Sequence, residues 1–200
     1  MQQGRLDIDK LIELAATEFA AHGFEGMSMR SLADKCAISQ PAIYYHFASK
    51  EALYEEVCRR RFDEVARLVD RRVAAVTSPA DKLEEFFSAL FDEWQRDNTI
   101  LLLTQREVIN ALVEPEKCVA GTHTIHLFGQ IEDILADILG REVEQEVAFT
   151  FGSLLYGYCS MMSLDIKGDG RAPTQQPALR ERRKAALLDA CRKMLQSLGS

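Results

Sequence analysis

Ile8, Leu11, Ile12, Ala15, Ala16 and Phe19 fall at i, i+3, i+4, i+7, i+8 and i+11. That spacing winds onto one face of an α-helix and does not alternate across a strand. The same period returns in Phe62, Val65, Val69, Val73 and Val76, and more broadly in Leu83, Phe86, Phe87, Leu90, Phe91 and Trp94. No strand-like alternation of useful length interrupts it, and no repeat of solenoid length appears. The chain therefore reads as all-α, with about nine helices.

Punctuation residues mark where the helices begin and stop. Gly23 follows the first stripe, where a left-handed cap costs glycine little. Ser28 is placed to cap a short second helix. Ser39 is placed to cap a third, with Pro41 in the first turn, where its missing N–H matters least. Ser49 opens a long fourth helix. Pro115 ends a helix begun near Asn98, Gly140 separates two longer helices, and "DIKGDGRAPTQQP" reads as a loop before a last helix over about 178–198. These breaks predict three parts: a helix-turn-helix unit over 1–48, a connecting fourth helix over 49–78, and a bundle over 79–200.

Composition narrows the functional classes. With 47% hydrophobic and 28% charged residues, the chain has enough apolar content for a real core. No run approaches a membrane span, and the polar start is unlike a signal peptide, so the expectation is a cytoplasmic protein with no membrane partner. Five scattered cysteines without a CxxC argue against a disulfide framework or a zinc ribbon; Cys36 is the candidate for a redox-sensitive thiol. The net charge of −7 speaks against a polyanionic partner, and the first fifty residues, with five cations and six anions, carry no basic footprint.

Against that charge stands the stretch "SLADKCAISQPAIYYHFASKEAL", Ser31 to Leu53. A helix ending near Lys35, a tight turn at Cys36-Ala37-Ile38 and a new helix at Ser39 have helix-turn-helix spacing. The second helix of that motif enters the major groove N-terminus first, which offers Ser39, Gln40, Pro41 and Ala42 to base edges. Gln40 can pair bidentately with adenine, and Pro41 and Ala42 can meet a thymine methyl. Tyr44, Tyr45 and His46 lie toward the helix end, within reach of phosphates and sugars, while Ile43 and Phe47 point inward.

Together with the preceding "AATEFAAHGFEG", this stretch resembles the DNA-binding region of the tetracycline-repressor (TetR) family of bacterial regulators over roughly residues 8–57. The resemblance implies a homodimer that binds a palindromic double-stranded DNA operator and is released by a small-molecule effector. It also implies phosphate contacts from Ser28 and Arg30, base reading by Ser39, Gln40, Pro41 and Ala42, mixed contacts from Tyr44 and Tyr45, and a phosphate anchor at His46. Lys50, at the start of the fourth helix, joins its ammonium to the helix dipole there. Ala37 departs from the pattern, because the family commonly has glycine in this turn; a left-handed backbone would cost alanine about 1 kcal/mol. Helix N-termini and polar side chains bind phosphates without a basic surface, so an acidic chain remains compatible with DNA.

The C-terminal part is expected to dimerise and to hold the effector. Gly152, Ser153, Gly157 and Ser160 permit close helix approach, and Leu187, Leu188, Cys191, Leu195 and Leu198 share one side of the last helix. These faces suit a homodimer through the last two helices, or packing within one protomer. Phe87, Phe91, Trp94, Leu103, Glu107, His123, His126, Phe149 and Tyr156 are the candidate lining of an apolar pocket, although an aromatic stripe also serves as core. His123 and His126 with Cys118 lack a fourth metal ligand, so neither a metal nor a cofactor is expected. A ligand-responsive regulator is thus the leading function, with a small helical-bundle enzyme or a dimerising adaptor as alternatives.

Overall fold

The computed structural model describes residues 7–113, 118–119, 121–162 and 177–198, apart from the side chains of 121–125. Most of the expected glycine- and proline-rich loop, and Pro115, lie outside these residues. Among those described there are nine helices and no strand: α1 (Ile8–Gly26), α2 (Met29–Lys35), α3 (Gln40–His46), α4 (Lys50–Ala74), α5 (Pro79–Arg96), α6 (Asn98–Val113), α7 (Gly121–Leu139), α8 (Gln145–Met162) and α9 (Pro177–Leu198). The chain forms two compact units, one of residues 1–64 with 99–121 and the other of residues 65–98 with 122–200. Helix α4 is continuous through the division. Helix α6, expected with the C-terminal bundle, belongs almost wholly to the N-terminal unit.

In the N-terminal unit, Asp7 caps α1 by accepting hydrogen bonds from the Asp9 and Lys10 amides at 3.1 Å. The α1 stripe buries Leu11, Ile12, Ala15, Ala16 and Phe19 against Leu32, Ala33, Ile43, Leu53, Val57 and Leu103. Such burial is the main source of the unit's stability, since helices this short are marginal alone. Phe19 meets the Tyr54 ring edge-on at 4.9 Å. Helix α1 breaks at Gly23, whose φ is +75°. The left-handed backbone favours glycine there, and a Cβ, 2.8 Å from Arg106 Nη1, would also push the guanidinium aside. The Arg106 guanidinium in turn donates to the Ala20 carbonyl, at 3.0 Å from Nη2, satisfying an acceptor at the end of the helix.

The C-terminal unit is organised by α5, which packs against α8 and α9. Ser78 caps it, with Pro79 in the first turn. Phe86, Phe87, Leu90 and Phe91 are buried, as are Leu135, Phe151, Leu155, Leu187 and Cys191 from the other three helices. A charge network flanks this core. Asp92 accepts from Arg72, Arg180 and Lys184 at 3.2, 3.0 and 2.6 Å, and Arg72 also bonds Glu85 and Ser88. Burial alone would raise the Asp92 pKa, but the bonds from Lys184 and Arg180 outweigh it and hold the carboxyl below the usual carboxylate range.

Candidate functional site

The helix-turn-helix is built by backbone capping. At the end of α2 the Ile38 amide bonds the Ala33 carbonyl at 3.0 Å and the Ala37 amide bonds the Asp34 carbonyl at 3.1 Å. This is the Schellman arrangement, which requires a left-handed residue between the two. Ala37 supplies it with φ +55°, the only positive φ outside glycine among the described residues. Ile43, fully buried, fastens α3 to the core, and Phe47 packs partly against the same cluster.

With Ile43 inward, the remaining α3 side chains face out. Tyr45 is 86% exposed and Tyr44 42%; neither is enclosed. Ser39, Pro41 and His46 are exposed, and Gln40 and Ala42 partly so. Ser39 stands at the N-cap position of α3 with extended backbone, yet its hydroxyl makes no capping bond. The His46 ring meets Tyr45 edge-on at 5.1 Å. Ser28 caps α2 by accepting from the Ser31 amide at 3.3 Å, which leaves its own hydroxyl proton to donate. Arg30, exposed, lies one residue inside the same helix start.

Lys50 has partners within the N-terminal unit. Its ammonium lies 4.7 Å above the Phe24 ring and donates to the Glu25 carbonyl at 3.4 Å, so it fastens the start of α4 to the end of α1. Cys36 is half-buried, and burial raises its thiol pKa against the opposing pull of Lys10, which disfavours the reactive thiolate.

The residues expected to line one pocket separate. Leu103 is part of the N-terminal core. Glu107, 2% exposed, accepts from Tyr54 Oη at 2.6 Å, Asn110 Nδ2 at 2.9 Å and the Val119 amide at 2.5 Å, all within the N-terminal unit. His126 faces Asp70 at 3.5 Å and Gln130 at 3.3 Å, while the His123 side chain lies outside the described residues. Phe149, 59% exposed, stacks on Phe128 at 5.3 Å. Phe87 and Phe91 are core, Phe87 meeting Phe151 edge-on. What remains together is Trp94 and Tyr156, edge to face at 6.5 Å. No group of three potential metal ligands occurs among the described residues.

On α8 and α9, Gly152 lies so tightly under the Phe128 ring of the same chain that a Cβ would clash. Leu187 and Cys191 are buried, whereas Leu188, Leu195 and Leu198 are partly open and Ser153 is exposed. Part of the face expected at a dimer interface is thus used within the protomer.

Sequence reasoning missed Tyr54 and the tie of Arg106 to Ala20. A tyrosine on a buried stripe and a charged pair in an apolar helix each need partners, and that was the available signal.

A short helix presented tip-first from a capped turn, with a polar aromatic rim and a buried inner face, defines a helix-turn-helix DNA-binding protein. Residues 11–57 match the family described as bacterial regulatory proteins, tetR family. The chain is 34% identical over 99 residues to the transcriptional repressor KstR2 of Mycolicibacterium smegmatis, covering 50% of this chain and 48% of that one, about half its length. It is 30% identical over 141 residues to the biofilm operon negative transcriptional regulator IcaR of Staphylococcus aureus, covering 70% of this chain and 67% of that one. The fold is that of the transcriptional regulator FadR from Bacillus subtilis, solved with stearoyl-CoA, with a TM-score of 0.68, 14% identity, and coverage of 91% and 98%. The chain belongs to the TetR family of bacterial regulatory proteins. These relatives are regulators by name, not enzymes, and no described helix is long and apolar enough to cross a membrane.

Proposed function

We propose that the protein is a ligand-responsive transcriptional repressor that binds a palindromic operator as a homodimer and is released by a small, largely apolar effector. The observation that carries this reading is the contrast within α3: Tyr45 is 86% exposed while its neighbour but one, Ile43, is fully buried. Tyr44, Tyr45 and His46 stand exposed side by side, and a cluster of solvent-facing aromatics with polar tips suits a partner-binding surface.

In this reading Gln40, Pro41 and Ala42 read base edges from the tip of α3, with Ser39 free to join them. Tyr44, Tyr45, His46, Ser28 and Arg30 hold the backbone, which sets register without reading sequence. Dimerisation through the open remainder of α8 and α9 places two recognition helices about 34–36 Å apart, one turn of DNA. Effector bound in the C-terminal unit acts through α4, the helix continuous into the DNA-reading unit. It shifts the equilibrium only by its differential affinity for the two arrangements. The stearoyl-CoA held by FadR supports an effector with an apolar portion.

A gel-shift screen against genomic fragments tests the reading. A sequence-selective shift is expected, and Tyr45→Ala should weaken it about tenfold or more while leaving the thermal midpoint unchanged. A dimerising adaptor or an enzyme gives no selective shift, and that result would overturn the proposal.

A further inference from the structure

Arg106, half-buried on α6, spends its whole guanidinium on α1. Nε and Nη2 both donate to the Ala20 carbonyl, at 3.3 and 3.0 Å, and Nη1 lies against Gly23. Gly23 is the non-helical residue inside α1, with φ +75° and ψ 176°. Glycine enters and leaves such a conformation at little steric cost, so contacts from outside the helix set the direction of the chain beyond it. Arg106 supplies such a contact, and a planar donor fork on one carbonyl fixes orientation as well as distance.

The residues beyond this hinge form a seat for the element that follows the recognition helix. Phe24 carries the Lys50 ammonium 4.7 Å above its ring, and the Glu25 carbonyl accepts from the same ammonium at 3.4 Å. Lys50 opens α4 shortly after α3 ends at His46. Ser49 caps that start by accepting from the Ala52 amide at 3.2 Å, which leaves little slack between the two helices. A second tie from α6 reaches the same ring: Glu107 accepts from Tyr54, and Tyr54 meets Phe24 edge-on at 5.6 Å. Adjacent residues of α6 thus converge on Phe24, one through the hinge and one through α4, all within the N-terminal unit.

We propose that Arg106 is a positioning residue for operator recognition. It holds the Gly23 hinge so that Phe24 and Glu25 seat Lys50, and it thereby sets the angle at which α3 meets DNA without touching the duplex itself. The role rests on the DNA-binding reading above and adds to it a residue outside the family-matched stretch 11–57. Hydrogen bonds to base edges weaken steeply when misdirected, and each protomer of a homodimer repeats the loss.

The test uses the full-length protein and the DNA fragment that the parent selects in the gel-shift screen, with a denaturant melt of each variant to give its folded fraction. Arg106→Met, which keeps the length and removes the donors, should weaken binding about tenfold without changing the slope of log affinity against log salt. Arg106→Lys, which keeps a donor for the Ala20 carbonyl, should recover most of that loss. Arg106→Met combined with Lys50→Met should lose no more than the greater single loss, because both act on one seat. In the DNA-free protein labelled with 13C-lysine, the Phe24 ring shifts the Lys50 side-chain protons upfield, a signal identified by its absence in Lys50→Met. Arg106→Met should move those protons back toward ordinary positions. A salt slope shallower by about one for each Arg106 removed would indicate a direct phosphate contact and overturns the positioning role. Unchanged affinity, a loss that follows the folded fraction alone, additive losses in the double variant, or unmoved Lys50 protons overturn it as well. A parent that selects no fragment ends the DNA-binding reading and the role with it, and the lysine signal then still reports whether Arg106 holds the hinge.

Discussion

Tyr54 Oη donates to Glu107 Oε1 across 2.6 Å, joining α4 to α6 through a hydrogen bond that water does not reach. Burial, first, and the neighbouring Cys58 and Glu107 raise the tyrosine pKa well above its ordinary value, so the phenol stays a donor. Tyr54→Phe should cost about 2 kcal/mol in a denaturant melt, the usual worth of a hydrogen bond to a charged group. Glu107→Ala, which strips partners from Tyr54, Asn110 and the Val119 amide, should cost more. The double variant should lose less than the sum, because the two residues share one bond.

Ala37 holds a left-handed backbone that alanine adopts at a cost. Ala37→Gly removes the steric penalty and adds freedom to the unfolded chain, two effects that oppose each other. The net expectation is a gain of about 0.5–1 kcal/mol by chemical denaturation. A loss of stability would show that the turn gains more from the alanine methyl than the backbone conformation costs.

Asp92 sets part of the acid limb of stability. Its pKa in the folded protein lies below that of the unfolded chain. Its contribution is therefore present above about pH 4 and is lost as pH falls through the lower folded value. Asp92→Asn should flatten thermal stability against pH across that window. It should also cost about 1–3 kcal/mol at neutral pH, since three half-buried cations would then face a neutral amide. An acid limb identical to that of the parent would refute the assignment.

Salt should weaken operator binding only modestly. Lys50 is engaged with Phe24 and Glu25 and Lys35 with Glu18, so few cations are left to release counterions. The slope of log affinity against log salt should be about −5 or shallower for the dimer; a value near −10 would contradict it.

Much of the DNA-reading unit was legible because its signals are local. The Ser28 and Ser49 caps, the Pro41 turn and the alternation of Ile43 with Tyr44 and Tyr45 depend on neighbours within four residues. Even the strain at Ala37 followed from the turn's chemistry. The contacts of Lys50 with Phe24 and Glu25 were not legible because they are tertiary, and a cation at a helix start looks alike whether it meets phosphate or a carbonyl. That Leu103 and Glu107, expected among the lining of a pocket in the C-terminal part, are buried within the N-terminal unit was not legible for a related reason: the apolar face of α6 declares that it is buried but not against what. The small residues of α8 carried the same ambiguity, since Gly152 fits beneath its own chain's Phe128 as well as it would fit a partner helix.

The N-terminal unit is discontinuous in the chain, drawing residues 99–121 back to residues 1–64. Grafting its operator preference onto another regulator is therefore not a matter of exchanging a leading segment. A graft cut at Glu64 would strand Tyr54 without its carboxylate and the Ala20 carbonyl without its guanidinium, so α6 has to travel with the recognition helix it supports from behind.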